Sequence, residues 1–277
     1  SKPPQLFNTG NFIRNLLLRR SWLLAFIVLD ILIIIAILTD ETILDAWGYI
    51  IVGINVTLQI TIVAFLVALV LGLITALGRI SRNPIIYNIA TFYVEIFRGL
   101  PLLVIVLIFA FVVTPAVIDA IAGGPLDDFA QQLFGIEAER IPETSLRSRD
   151  IDPVWRIMFA FAMTYGAFMS EVFRAGIESI GRGQMEAARS LGMNYIQAMR
   201  FVILPQAIRQ MIPPLTSQGI SLVKDSALVS TIAIYDLTMQ GQQIVAETFL
   251  TFEIWFTVAA IYLLVTLMLA LLVKLLE

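Results

Sequence analysis

Six stretches of the 277-residue chain stay apolar for about 20 residues, the length a helix needs to cross the hydrocarbon core of a bilayer. They are 21–39, 52–78, 88–113, 155–178, 210–234 and 253–274. The fold class is therefore all-α, a polytopic helical membrane protein with about six transmembrane helices. Composition agrees: 59% of residues are hydrophobic and 14% charged, with a mean hydropathy of +0.89. An ordinary soluble domain is nearer 45–50% apolar and about 25% charged. The first span is the least regular, because Asp30 stands at its middle.

Lysines and arginines set the sides of the membrane. Lys2, Arg14, Arg19 and Arg20 precede the first span, Arg79 and Arg82 follow the second, and Arg182, Arg189, Arg200 and Arg209 fall between the fourth and fifth. The loop after the first span has Asp40, Glu41 and Asp45 without a cation, and the loop before the sixth has Asp236 and Glu247 without one. The alternation predicts both termini in the cytoplasm. Segment 114–154 carries Arg140, Arg147 and Arg149 against eight acidic residues, and its neighbours put it outside. Gly123, Gly124, Pro125, Pro142 and Pro153 punctuate it, with one short helix expected near Leu126–Phe134. It is either a docking or gating lid or a tolerated insertion. The length of the first apolar run and the acidic residues after it argue against a cleavable signal peptide.

Much chemistry is excluded. With no cysteine and no histidine, thiolate and imidazole metal sites are absent and no metal site is expected. None of the three lysines, Lys2, Lys224 and Lys274, completes a GxxxxGK[ST] phosphate loop. No serine sits in a GxSxG elbow. A net charge of −3 leaves no nucleic-acid footprint. What remains is a protein that moves something across a membrane with energy from an ion gradient or from another subunit.

Between the fourth and fifth spans, Gly183 to Pro205 is rich in helix formers. Apolar residues recur at Ala188, Leu191, Tyr195, Ala198 and Val202, and Gly192 divides the stretch into two short helices that Pro205 closes. A one-sided helix pair on the cytoplasmic face either rests on the lipid interface or docks in a partner's groove.

Glu186-Ala187-Ala188, three residues, Gly192, nine residues, then Val202-Ile203-Leu204-Pro205 resembles the EAA loop of ABC-importer permeases, with Val202 in place of the family's isoleucine. Three further stretches look like the polar amino-acid branch: Tyr93–Leu103, Gly166–Gly176 and Ile220–Ser230. The resemblance covers about residues 50–276. It implies a type I ABC-importer permease core over 50–277, with an external insertion at 114–154 and a coupling loop at 183–205. Residues 1–49 add an N-terminal segment, an extra transmembrane helix and a short outer loop. It also implies a bacterial cytoplasmic-membrane location and a set of partners. These are a cytoplasmic ATPase dimer that holds the ATP and Mg2+, a second permease (identical or homologous) and an extracytoplasmic amino-acid-binding protein. No cofactor belongs to this chain. Glu186, Ala187, Ala188, Gly192, Leu204 and Pro205 would couple it to the ATPase. Glu186 would pair with a basic group there or cap its own helix, and Gly192 would permit the tight turn.

Ionisable residues within spans raise functional hypotheses of their own. Glu95 and Arg98 in the third span, and Glu171 and Arg174 in the fourth, have i, i+3 spacing. Each pair either neutralises itself on its own helix or crosses to the other, Glu95 to Arg174 and Glu171 to Arg98, as a gate. Pro101 predicts a kink after the first pair. In the fifth span, Lys224, Asp225, Ser221 and Gln218 are candidates to line a substrate path, with Ser217 and Ser226 nearby. Lys224 reaching an interface beside a neutralising Asp225 is the plainer reading. Pro213 and Pro214 predict an irregular start to that span. Asn55, Thr57, Gln59 and Thr61 give the second span a polar outer end, for path lining or for hydrogen bonds between helices. The function expected is the permease subunit of an ATP-driven amino-acid importer. The alternatives are an ion-coupled secondary carrier, or an ion channel, for which no TVGYG-like filter is present.

Overall fold

The second apolar run becomes one helix of 40 residues, α1 (Glu41–Ile80), which continues through the expected boundary at 49/50. It belongs to a computed structural model that describes residues 41–121 and 152–276, together with Val28, Ile31 and Ile35. The expected first span as a whole, Asp30, and most of the external segment with its helix near Leu126–Phe134 lie outside the described residues.

After α1 the chain turns at Asn83, whose side chain accepts the Ile85 N–H and caps α2 (Pro84–Gly99). Pro84 at the first helical position has no N–H to leave unpaired. The third run is not one straight span. Pro101 removes a donor and forces Leu100 out of the helical region, to φ −100° and ψ 145°. α2 and the following helix, α3 (Leu102–Ile108), meet at 108°. The break falls where Pro101 predicts it, but the 108° angle makes two elements rather than a kinked one.

α3 passes through a π-helical turn, Phe109–Val113, into α4 (Thr114–Ile121). A second π turn, Met199–Ile203, joins α7 (Tyr195–Ala198) to α8 (Leu204–Asp225). Each π turn is followed by one residue and then a proline, Pro115 or Pro205. A proline cannot donate to the carbonyl four residues back and collides with it. The wider turn, with Thr114 N–H bonded to Phe109 O and Leu204 N–H to Met199 O, carries the helix past that collision. Pro205 therefore does not close a helix as expected; it opens the first turn of the next. Pro213 and Pro214 likewise lie inside a continuous α8. Thr216 and Ser217 hydroxyls bond back to the carbonyls of Ile212 and Pro213. The fifth run is α8 followed by a 3-10 turn, Ser226–Ile232, which ends at Ala233 in the left-handed region, φ 59°.

α5 (Pro153–Glu178) is the centre of the fold, capped by Asp152, whose carboxylate accepts the Val154 N–H. Its most extensive packing is on α1, and α2, α3 and α8 cover other sides. Small residues let the backbones close up: Ala64, Ala68, Ala76, Ala160 and Ala167 are fully buried. A Cβ on Gly72 would stand 2.8 Å from the Met169 Cβ, and one on Gly166 2.9 Å from the Tyr93 hydroxyl.

By length and apolarity alone, two described helices suffice to cross a bilayer, Trp47–Ile80 and Thr251–Leu272, with the bent α2–α3 pair a third. α5 carries more polar residues because neighbouring helices shield much of its surface from lipid, whereas those of α8 lie largely exposed along one face.

The loop expected before the last span holds a further helix, α9 (Leu237–Thr248), ahead of α10 (Thr251–Leu276). Ile50, Leu237, Ile244, Ile254, Val258 and Ile261 form a second core where α9 meets α1 and α10. The Leu237 N–H donates to Thr57 Oγ1 at 3.2 Å, and Thr57 and Thr61 are buried. Thr57 thus serves helix contact and Thr61 bonds within its own helix, while Asn55 and Gln59 on another side of α1 stay exposed.

Candidate functional site

Three features of the chain carry polar chemistry without filling the core. The first is the hook that follows α5. α6 (Arg182–Ser190) ends in a Schellman turn: Gly192 N–H bonds to Arg189 O and Met193 N–H to Ala188 O, with Gly192 at φ +83°. α7 then starts on a capping box, in which Asn194 and Gln197 each accept the other's backbone N–H at 2.9 Å. The division at Gly192 is as expected, but the apolar stripe is not continuous. Ala188 and Ala198 are buried, whereas Leu191 is 80% and Ile196 75% exposed, and Tyr195 and Phe201 are exposed too. Burial within this protomer takes the small residues and leaves the large ones outward. Glu186 lies past the first turn of α6, whose N-cap is Gly181, so it does not cap the helix. Its side chain and Ala187 are exposed, as is Pro205, with Leu204 half-buried. A polar cleft of about 330 Å3 lined by Ser179, Gln184, Gln206 and Gln210 flanks the hook.

The second feature is a charge cluster at the end of α5 that leads to the hook. Glu171 Oε1 accepts from Arg79 Nη1 at 2.5 Å and from Arg98 Nη1 at 3.0 Å, and its Oε2 accepts from Arg174 Nη2 at 2.7 Å. Arg174 also reaches Glu178 at 2.7 Å. One carboxylate thus ties α1, α2 and α5. Of the expected pairings, the crossed Glu171–Arg98 and the internal Glu171–Arg174 both form. Glu95 is exposed and makes no ion pair among the described residues, with Arg98 or with Arg174. Arg79 was legible only as a loop cation; nothing in the sequence spacing pairs it with a residue 92 positions away.

The third feature is a pair of polar stripes turned away from the core. On α8, Gln210, Ser217, Ser221 and Lys224 are exposed at helical spacing, with Gln218 half-buried. On α2, Asn88, Glu95 and Gly99 repeat the pattern, with Thr91 half-buried among them. Such faces do not suit lipid. Asp225 sits at the end of α8, where the buried Tyr165 donates its hydroxyl to Oδ2 at 2.6 Å. Asp225 is therefore held by α5, and only Lys224 of the adjacent pair is free to face outward.

Asp236 caps α9 by accepting the Met239 N–H at 2.8 Å and is wholly buried. The sequence shows this residue only as an outer-loop charge. Among the described residues no group of carboxylates is arranged to hold a metal ion.

The family described as the binding-protein-dependent transport system inner membrane component matches residues 68–277. The glutamine transport system permease protein of Escherichia coli (strain K12) is 32% identical over 225 residues, 81% of this chain and 90% of that one. The glutamate/aspartate import permease protein of Escherichia coli O6:H1 is 35% identical over 196 residues, 71% and 77% of the two chains. A crystal structure of an amino acid ABC transporter with histidines superposes with a TM-score of 0.67 at 34% identity, covering 85% of this chain and 95% of that one. An inward-facing methionine ABC transporter, at 19% identity and a TM-score of 0.60 over 82% and 94% of the chains, shares the fold.

Proposed function

The chain belongs to the binding-protein-dependent transport system inner membrane components, as a permease subunit of an amino-acid ABC importer, and from that premise we propose that its hook, Gly183–Pro205, seats in a cytoplasmic ATPase of a separate chain. The observation that carries this is the outward turn of Leu191, Tyr195, Ile196 and Phe201 on a rigidly capped helix pair. Large apolar side chains displayed on a fixed scaffold suit a groove in another protein. Glu186, Ala187 and Gly192 lie on the docking face, with Ala188 packed inward beneath them and Leu204 and Pro205 fixing the junction to α8. ATP and Mg2+ are bound by the ATPase dimer, and both termini of this chain face the cytoplasm of a bacterial cell.

A second permease, identical or homologous, completes the path, and an outer binding protein delivers the amino acid. The exposed stripes of α2 and α8 line that path. Lys224 offers a cation to the substrate carboxylate, with Ser217, Ser221 and Gln218 along the wall. Glu95 offers an anion from α2, and Asp225 orients its neighbour from its bond to Tyr165. The Glu171 cluster, with Arg98, Arg174 and Arg79, ties the helices that ATPase closure must move together.

Reconstitution with the ATPase and binding protein in liposomes tests the assignment. Glu186→Ala and Gly192→Val are expected to abolish ATP-driven uptake while the permease remains inserted. Gradient-driven uptake by the permease without any ATPase would overturn it in favour of a secondary carrier.

A further inference from the structure

A groove of about 440 Å3 runs between α1, α8 and α10, away from the polar stripe of α8. Leu58, Phe65 and Leu69 of α1 form one wall, Ile212 and Gly219 of α8 another, and Leu272 of α10 the inner end. Gly219 keeps the floor open: a Cβ there would stand 3.0 Å from the Phe65 ring. The hydroxyls of Thr61 and Thr216, which also line it, are both spent on carbonyls of their own helices. The groove therefore asks its occupant for no hydrogen bond.

Its length identifies that occupant. From Leu58 to Leu69 a helix rises about 17 Å, close to half of the roughly 30 Å hydrocarbon core. A spanning helix, from a second copy or from residues 21–39, needs a seat of the whole thickness. One leaflet's acyl chain needs half. All three walls descend from the level of Thr57 and Tyr262 toward the end of the molecule that bears the hook. At that end Arg209 is exposed, makes no ion pair among the described residues, and precedes the groove residues Ile212 and Thr216 by three and seven positions on the same side of α8. An unpaired guanidinium at the mouth of an apolar groove complements a phosphate on an acyl chain.

We propose that the groove between α1, α8 and α10 binds one inner-leaflet anionic phospholipid, its acyl chain along Leu58–Leu69 and its phosphate on Arg209. The inference rests on the reading that the hook faces the cytoplasm, but its test does not depend on transport. The permease–ATPase complex is extracted in mild detergent and offered equal phosphatidylglycerol and phosphatidylethanolamine, and bound lipid is counted by native mass spectrometry. The expected result is phosphatidylglycerol retained preferentially on each protomer. Arg209→Gln should lower that preference about fivefold, Arg209→Lys should largely keep it, and Thr216→Phe, which fills the groove, should reduce retention of both lipids. Equal retention of the two lipids by the unaltered complex, no effect of Arg209→Gln, or undiminished retention in Thr216→Phe would each overturn the proposal. So would cross-linking of Leu66→Cys, on the α1 wall of the groove, to another polypeptide helix.

Discussion

Arg79, in the last turn of α1, and Glu171, on α5, stand 92 residues apart in the chain and meet at 2.5 Å, with the arginine side chain only 10% exposed. Arg98 shares the same carboxylate oxygen. Removing the carboxylate leaves three guanidiniums facing one another, whereas removing one arginine leaves two partners in place. Glu171→Gln is thus expected to destabilise by about 1–3 kcal/mol, and Arg79→Gln by less. The two should be strongly non-additive in a double-mutant cycle on thermal unfolding, while Glu95→Gln and Arg174→Gln should simply add.

Gly192 occupies φ +83°, a region where a side chain costs roughly 1–2 kcal/mol. Because nothing lies within 4 Å of a Cβ there, the cost is in the backbone and not in crowding. Gly192→Ala should leave insertion intact yet loosen the hook, lowering uptake per ATP hydrolysed. Gly192→Asn, which tolerates this conformation better, should retain more coupling. The check is the ratio of the two rates in proteoliposomes.

Asp236 caps α9 by accepting the Met239 N–H. Asp236→Ala removes that acceptor and is expected to destabilise by about 0.5–2 kcal/mol, while Asp236→Asn keeps one and should lose less. Thermal unfolding of the two variants checks the order.

Tyr165→Phe deletes only the hydroxyl that holds Asp225. A loss of about 0.5–1.5 kcal/mol in stability is expected, with the complex still assembled. If Asp225 orients Lys224 for substrate, the variant raises the substrate concentration needed for half-maximal uptake. Unchanged transport kinetics would confine Tyr165 to packing.

Local chemistry made much of this molecule readable in advance. Pro101 announces the break between α2 and α3, and Gly192 the division of the hook. Each depends on a residue and its near neighbours. α9 escaped because Leu237–Thr248 is short and polar, with no long apolar run, and its helix is secured by Asp236 and by packing on α1 and α10. The two π turns escaped because a proline reads as a stop, while its accommodation by a wider turn needs the surrounding packing to favour continuation.

The amino-acid order by itself determined that this chain lives in a bilayer as helices, that one run breaks at Pro101, and that the hook divides at Gly192. Hydropathy, proline sterics and glycine's backbone freedom all act over a few residues. Only the tertiary structure decided that Glu171 gathers Arg79, Arg98 and Arg174 while Glu95 stays exposed, and that Asp225 is held by Tyr165 beside an outward Lys224. The first goes with the close approach of α1, α2 and α5 at Gly72 and Gly166, and the second with the packing of α8 on α5. Helix spacing limits which side chains share a face, but the distance and rotation between helices select the partner.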